Sequence, residues 1–451
     1  MKKVVSWLFV AILVLSLSIP GWSTVNAESG NQTYLVNFKG NKIPDNAASL
    51  IEQSGGTVLS VNKELSYIQA VSDDPQFLDR IRGHKEVSDA GRELELVQDL
   101  ELDGQSFAAS SSHPLYDQYQ WDIKQVTEDG ASHQLPKGKG TKDVVVAVID
   151  TGIDLAHPDL KENIVDAKSF IAGEDVLDHD GHGTHVAGSI AANGRVLGVG
   201  PELGIAGLKV FPRNGGAPTS AIMNAIHYAV EQDYDVINMS LGSHRFLQEP
   251  GSKTSDIIAN INLFKKAISY AYQNGVTVVG SAGNSNANIT SPGQLTRYLY
   301  DDNGATKRNP AGEHIIRVSA GNMSKERAYY SNYGVGMIDV MSPGGDRGPN
   351  YDPDTKTGGD DTYLCLSTVP IFDAKGNPVG HGYGWKAGTS MASPKVAAVA
   401  GLIISKHGKN ALKPNQVKQI IHRSAEEINK KGYDAESGFG LINAVNALNH
   451  R

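Results

Sequence analysis

Between Asp143 and Asp150 the chain reads DVVVAVID, six apolar residues in a row with a carboxylate at each end. A strand covered on one face alternates apolar and polar residues, whereas one covered on both faces has no polar side. This run therefore predicts an interior strand of a parallel sheet. GIAGLKVF from Gly204, DVINMSLG from Asp235, GVTVVGSAGN from Gly275 and HIIRVSA from His314 repeat the pattern. Between them lie stretches with apolar positions at helical spacing, TSAIMNAIHYAVEQ from Thr219 and DIIANINLFKKAISYAYQNG from Asp256. Alternating strands and helices predict an α/β domain over residues 115–451 with a mostly parallel central sheet. Working groups gather at the C-terminal strand ends of such sheets, and here the runs close on Asp150, on NMSLG and on AGNSN.

The chain before residue 115 has a different texture. TYLVNFK from Thr33 alternates as a strand, PDNAASLIEQSGG is a short helix stopped by glycines, TVLSVNKELSYIQAVS is a pair of strands and PQFLDRIRGH is a second helix. These predict a small α+β unit within residues 28–97. Residues 98–114, QDLELDGQSFAASSSHP, have the composition of an exposed linker of the kind peptidases cut. At the front, MKKVVSWLFVAILVLSLSIPGWSTVNA has two lysines, an apolar core short for a bilayer span, and small residues at Val25 and Ala27. It predicts a signal peptide over residues 1–27 and a secreted product, with an uncleaved N-terminal anchor as the competing reading. The closing NAVNALNHR carries no hydrophobic tail, so no membrane association is expected once the signal is removed.

Composition narrows the function. The balance of 41 basic and 49 acidic residues, formally −8, contains no long block of one sign, which argues against a nucleic-acid partner. Cys365 is the only cysteine, so no intramolecular disulfide forms. Nothing in TYLCLST pairs it with a base, and it reads as a packed spectator.

Candidate chemistry centres on LDHDGHGTHVAG, residues 177–188. A metal reading puts His182 and His185 on one helical face, with His179, Asp178 and Asp180 approaching from the loop. Against it, Gly181 and Gly183 interrupt any rigid helix through all three histidines, and the HExxH spacing is absent. The acid–base reading starts from Asp150, a carboxylate at the end of a buried strand that needs a partner. His182, between two glycines, has the steric freedom to face both that carboxylate and a substrate. Ser390 opens the apolar helix of TSMASPKVAAVAGLI, and a helix N-terminus favours developing negative charge.

The order Asp, His, Ser, carried by VIDTGID, DGHGTHVAG and GTSMASPKVAAVAG, resembles the subtilisin-like serine peptidases. The likeness runs over nearly all of residues 115–448 through HPDL, INMSLG, GSAGN and GFGLINAVNAL. It implies a subtilisin-like three-layer α/β domain preceded by a small α+β ferredoxin-like propeptide, which inhibits the enzyme and assists its folding. It implies a monomeric endopeptidase acting on peptides and proteins, with Ser390 as nucleophile, His182 as base and Asp150 orienting the imidazole. Asn284, with the Ser390 N–H, takes the oxyanion role. Ser240, Leu241 and Gly242 form one wall of the substrate cleft, and Ser281, Ala282 and Gly283 the other. His185 falls to packing and His179 to a loop beside the cleft. No cofactor is implied for catalysis. Where the family carries a calcium loop, only NGRVLG stands between Ala192 and Val199, leaving Asp159 as a lone carboxylate. The usual strong calcium site is therefore not expected.

A second departure follows Asn284, where the connection to HIIRVSA is long for the family. Lys307 or Arg308 near the pocket floor would favour an acidic P1 residue, while Asp301 and Asp302 would favour a basic one, and both readings stand. Glu93, Glu95 and Glu101 would let an enzyme preferring Glu release its own propeptide within residues 93–114. With the lone cysteine and the shortened loop, this resembles the lantibiotic leader peptidases, which remove leaders from modified peptide precursors. The rivals are a broad-specificity extracellular protease and a catalytically silent peptide-binding homologue.

Overall fold

The computed structural model describes residues 31–40, 42–98, 101–108, 114–241, 245–246, 253–290, 307–308 and 314–450. The signal-peptide reading, Gly242, Asp301 and Asp302 lie outside the described residues.

Strands β1 (Gln32–Phe38), β2 (Thr57–Asn62), β3 (Tyr67–Ser72) and β4 (Val87–Arg92) form an antiparallel sheet in the order β2-β3-β1-β4. Helices α1 (Ala47–Gln53) and α2 (Phe77–Arg82) connect them in a βαββαβ sequence, the expected ferredoxin-like order. The alternation in β1 serves two cores. Tyr34, Val36 and Phe38 pack with Ile51, Phe77 and Ile81 beneath the unit's own helices. Leu35 turns the other way and joins Tyr67 in a core shared with the larger body. The sequence pattern did not announce β4, because it carries few apolar residues. Its Gly91 lies so close to a helix of the body that a Cβ there would fall 2.6 Å from the Asp256 Cα.

The body is built on a seven-stranded parallel sheet in the order β16-β15-β13-β11-β7-β9-β8. Its members are β7 (Val145–Asp150), β8 (Ile164–Ser169), β9 (Gly204–Lys209), β11 (Val236–Met239), β13 (Thr277–Ser281), β15 (Ile315–Gly321) and β16 (Val340–Pro343). In β7, Val146 and Val148 face a core shared with helices α3 (His182–Ala191) and α6 (Thr389–His407). Val145, Ala147 and Ile149 face the opposite core, under α4 (Thr219–Glu231) and α5 (Thr254–Gln273). Cover on both faces is why the run shows no alternation.

At the end of the first unit Glu95–Leu96 (β5) pair with Ala217–Pro218 (β10), and within the expected linker Leu102–Ala108 (β6) add to a hairpin of β17 (Cys365–Phe372) and β18 (Pro378–Ala387). Strand β6 keeps most of its side chains in solvent while its backbone is paired, so a linker-like composition coexists with regular structure. No helix among the described residues is long and apolar enough to cross a membrane.

Candidate active site

Asp150 ends β7 and His182 begins α3, and the loops holding them are tied together by one buried carboxylate. Asp178 accepts from the Thr151 hydroxyl at 2.9 Å, the Gly181 N–H at 2.8 Å, and the Thr184 N–H and hydroxyl at 2.8 and 2.6 Å. These donors keep Asp178 ionised in spite of its burial, which taken alone favours the neutral acid. Gly181 takes a φ of 95°, a left-handed conformation suited to glycine. At Gly183 a Cβ would lie 2.2 Å from the Gly152 carbonyl, so only glycine lets the helix start rest on the turn after Asp150. The result brings His182 Nδ1 to 2.6 Å from Asp150 Oδ1.

Ser390 lies in the first turn of α6, buried like His182. Pro394 has no N–H to give the Ser390 carbonyl four residues back, and the Ser240 hydroxyl donates to that carbonyl instead, at 2.8 Å. The Ser390 hydroxyl lies 3.3 Å from the Ser240 carbonyl. Asn238 and Ser393 complete this network between β11 and α6. Thr389 orients Asn284: its N–H and hydroxyl donate to Asn284 Oδ1 at 2.9 and 2.8 Å. The Asn284 amide nitrogen then faces Gly388, where a Cβ would come within 3.2 Å of it and 3.3 Å of Glu101 Oε1.

Glu101 completes the centre. Its Oε1 lies 2.8 Å from His182 Nε2, and its carboxylate also accepts from Ser390. Burial by itself would keep His182 neutral, but carboxylates on both ring nitrogens outweigh it and raise the pKa well above the usual histidine value. Burial likewise disfavours the Glu101 carboxylate, yet His182, with Lys386 and Ser390, lowers its pKa below the ordinary range. Residues upstream of Glu101 pair with β10 and those downstream with β18, so the segment runs through the site with a strand contact on each side.

Residues 141–440 match the model of the Subtilase family. The chain belongs to that family. It is 30% identical over 459 residues to subtilisin amylosacchariticus of Bacillus subtilis subsp. amylosacchariticus, covering 98% of this chain and 97% of that one. Among solved structures, the epidermin leader peptide processing serine protease of Staphylococcus aureus superposes with a TM-score of 0.74 at 24% identity, over 94% of this chain and 99% of that one. The nisin leader peptidase NisP of Lactococcus lactis gives 0.62 at 27% identity, over 75% and 95%. The protein is a subtilisin-type serine endopeptidase.

In this subtilase the three histidines of the glycine-rich motif diverge. His185 packs one turn deeper, with Nε2 3.1 Å from the Cys365 carbonyl and 3.2 Å from that of Gly384. His179 lies near Arg213 and Asp175, beside a cavity of about 200 Å³ that Gln98 also lines. The segment expected to form one cleft wall is held from behind: Asn332 donates to the Ala282 carbonyl at 2.9 Å and the Gly283 N–H donates to the Thr389 hydroxyl at 3.0 Å. Ser281 and Leu241 are buried. Asp159 spends its carboxylate on the Val196 N–H and the Tyr383 hydroxyl, each at 3.0 Å. Lys307 and Arg308 form a short strand, β14, paired with Arg245–Phe246 (β12). Sequence reasoning missed the supporting roles of Asp178, Thr151, Thr389 and Asn332. The one hint was Asp178 and Thr184 flanking the HG pair.

Proposed function

We propose that this subtilase is made as a secreted zymogen that cuts itself within residues 93–114 and then trims peptide precursors, with leader removal as its task. The observation that carries the reading is the placement of Glu101 on His182 Nε2, between strand contacts at residues 95–96 and 102–108 that run as an extended substrate would lie. Residues 1–27 act as the signal peptide and residues 28–97 as the inhibitory unit. Glu93 supports the latter role by accepting from the Ser220 N–H at 2.7 Å, at the N-terminus of α4 where negative charge is favoured. The likeness to the nisin leader peptidase, at 27% identity, supports leader removal over broad extracellular proteolysis as the task.

In catalysis, Ser390 Oγ attacks the scissile carbonyl as His182 takes its proton, and Asp150 stabilises the resulting imidazolium. Asn284 Nδ2 and the Ser390 N–H bind the tetrahedral oxyanion, and His182 then protonates the leaving amine. Ser240 to Gly242 and Ser281 to Gly283 flank the extended substrate. Lys307 or Arg308 favours an acidic residue before the cut, which peptides varied among Glu, Asp, Phe and Leu at P1 will test. Intact masses of the secreted protein and its Ser390→Ala form test self-processing. The active chain should begin between residues 94 and 115 and the variant should keep the 28–97 unit, whereas identical N-termini would remove self-processing.

A further inference from the structure

The groove that receives residues 101–108 reads its occupant with side chains outside the triad. Asp103 on β6 stands directly opposite Lys386 on β18, and Lys386 Nζ lies 2.5 Å from Asp103 Oδ1. The lysine side chain is only 13% exposed. Glu101, two residues earlier and so on the same face of an extended strand, adds its charge near the same ammonium. Along the other edge of β6, side chains do the work of a further strand. Arg347 Nη2 donates to the Asp103 carbonyl at 2.5 Å, and the Gln105 N–H donates to Asp361 Oδ2 at 2.9 Å. Arg347 and Asp361 hold each other at 3.0 Å. Gly104 fits between these contacts because a Cβ there would come within 2.7 Å of Leu364 Cδ1 and 2.8 Å of the Asp361 carboxylate. Relieving that crowding would move the group that binds Gln105.

We propose that this groove is a substrate site on the C-terminal side of the cut, selecting an extended peptide in which an acidic residue is followed by glycine. Lys386 reads the acid, while Arg347 and Asp361 hold the backbone whatever its side chains. The proposal rests on the self-processing reading: in the zymogen the chain's own ELDG, residues 101–104, fills the groove, and substrate takes its place afterwards. Position favours this over a mere clasp for a connecting segment. Strand β18 ends at Ala387, three residues before the nucleophile, so a peptide held on it is aligned with Ser390.

Hydrogen exchange on the uncleaved Ser390→Ala chain reads the groove without catalysis. Asp103→Lys should speed exchange of the residue 102–108 amides about two- to fivefold, the range for a partly exposed ion pair, and Lys386→Asp should do the same. Combining the two reverses the charges and should restore protection. A double variant no slower than the faster single one overturns the proposal, as does Asp103→Lys without effect, a change confined to an exposed side chain. In parallel, the processed wild-type enzyme is given peptides identical before the cut, with Asp-Gly, Asn-Gly, Lys-Gly or Asp-Leu at the places of Asp103 and Gly104. Asp-Gly should be cleaved fastest and Lys-Gly about fivefold more slowly; equal rates overturn the proposal. If the wild-type and Ser390→Ala chains instead keep the same N-terminus while the charge reversal restores protection, self-processing falls and the groove's recognition of acid stands.

Discussion

The mouth of the cleft at His182 and its floor at His185 lie one helical turn apart on α3. Both imidazoles are buried, yet the pKa of one is pushed above the usual histidine value and that of the other below it. At the mouth, each ring nitrogen faces a carboxylate, from Asp150 and Glu101. At the floor, Nε2 meets only the carbonyls of Cys365 and Gly384, and the ammonium groups of Lys386 and Lys395 stand near. Burial, aided by those two cations, pushes His185 down to about 3. Burial is common to both, so it does not decide which histidine can carry a proton; the sign of the neighbouring charges does. Lys386 acts on both sides of the divide, repelling a proton from His185 while attracting Glu101 to the mouth. Beneath it, Lys395 is fixed by Asp122 at 2.8 Å and the Met391 carbonyl at 2.9 Å.

The contrast breaks most completely if His182 loses Asp150, the carboxylate that stays on its ring when residues 101–104 give way to substrate. Asp150→Asn should lower kcat about 10⁴-fold in peptide hydrolysis, because an amide neither fixes the productive tautomer nor stabilises imidazolium. Next in size, Asn284→Ala should lower kcat by about two to three orders of magnitude with KM little changed, since its amide donor matters only once the oxyanion has formed. An Asn284→Ala enzyme altered in KM alone would place that side chain in ground-state binding instead.

Replacing Glu101 sharpens the comparison in the full-length chain. In the uncleaved Ser390→Ala chain, His182 should titrate by NMR well above its usual value, and Glu101→Gln should lower that pKa while Asp150 still supports it. The signs also give a pH window for tail docking. Glu101, lowered in place, contributes fully above the ordinary carboxylate range, and its share is lost as pH falls through its lowered value. His182, raised by docking, contributes at lower pH, and its share is lost as pH rises through the raised value. Protease nicking of the 98–114 segment should therefore increase toward both extremes, and Glu101→Gln should flatten that profile.

Much of this was legible in the chain. The uniform apolar run of β7 announced a strand covered on both faces, and the three motifs around Asp150, His182 and Ser390 pointed to one reaction. What stayed hidden depends on contacts that no local pattern encodes. Glu101 and His182 are 81 residues apart and meet only when the first unit docks. Strand β6 has no regular alternation, and Leu102, Phe107 and Ala108 are its only apolar residues, because much of its stability comes from backbone pairing at an edge. Asp178 enters the sequence reading only through a metal site that Gly181 and Gly183 argue against; its role as a loop tie appears only when the turn aims the N–H groups of Gly181 and Thr184 at it. The Gly91 contact with Asp256 replaces the apolar side chains by which β4 would have been noticed.

The smallest expected effect tests the floor. A histidine whose pKa is lowered in the folded state binds its proton more readily when unfolded, so its contribution is complete above about pH 6.5, the usual histidine value. It is lost progressively as pH falls from there toward the folded value of about 3. His185→Gln keeps one donor for the Cys365 or Gly384 carbonyl and should cost about 1 kcal/mol at neutral pH. Because glutamine does not titrate, the variant should lose less stability than its parent as pH falls below 6.5, so the two melting temperatures should converge and then cross before pH 4. Thermal unfolding of the Ser390→Ala chain with and without His185→Gln measures this directly, free of self-digestion. Parallel curves would mean that His185 takes up no extra proton on unfolding. Its partners would then not set its charge, and the distinction between mouth and floor would reduce to position alone.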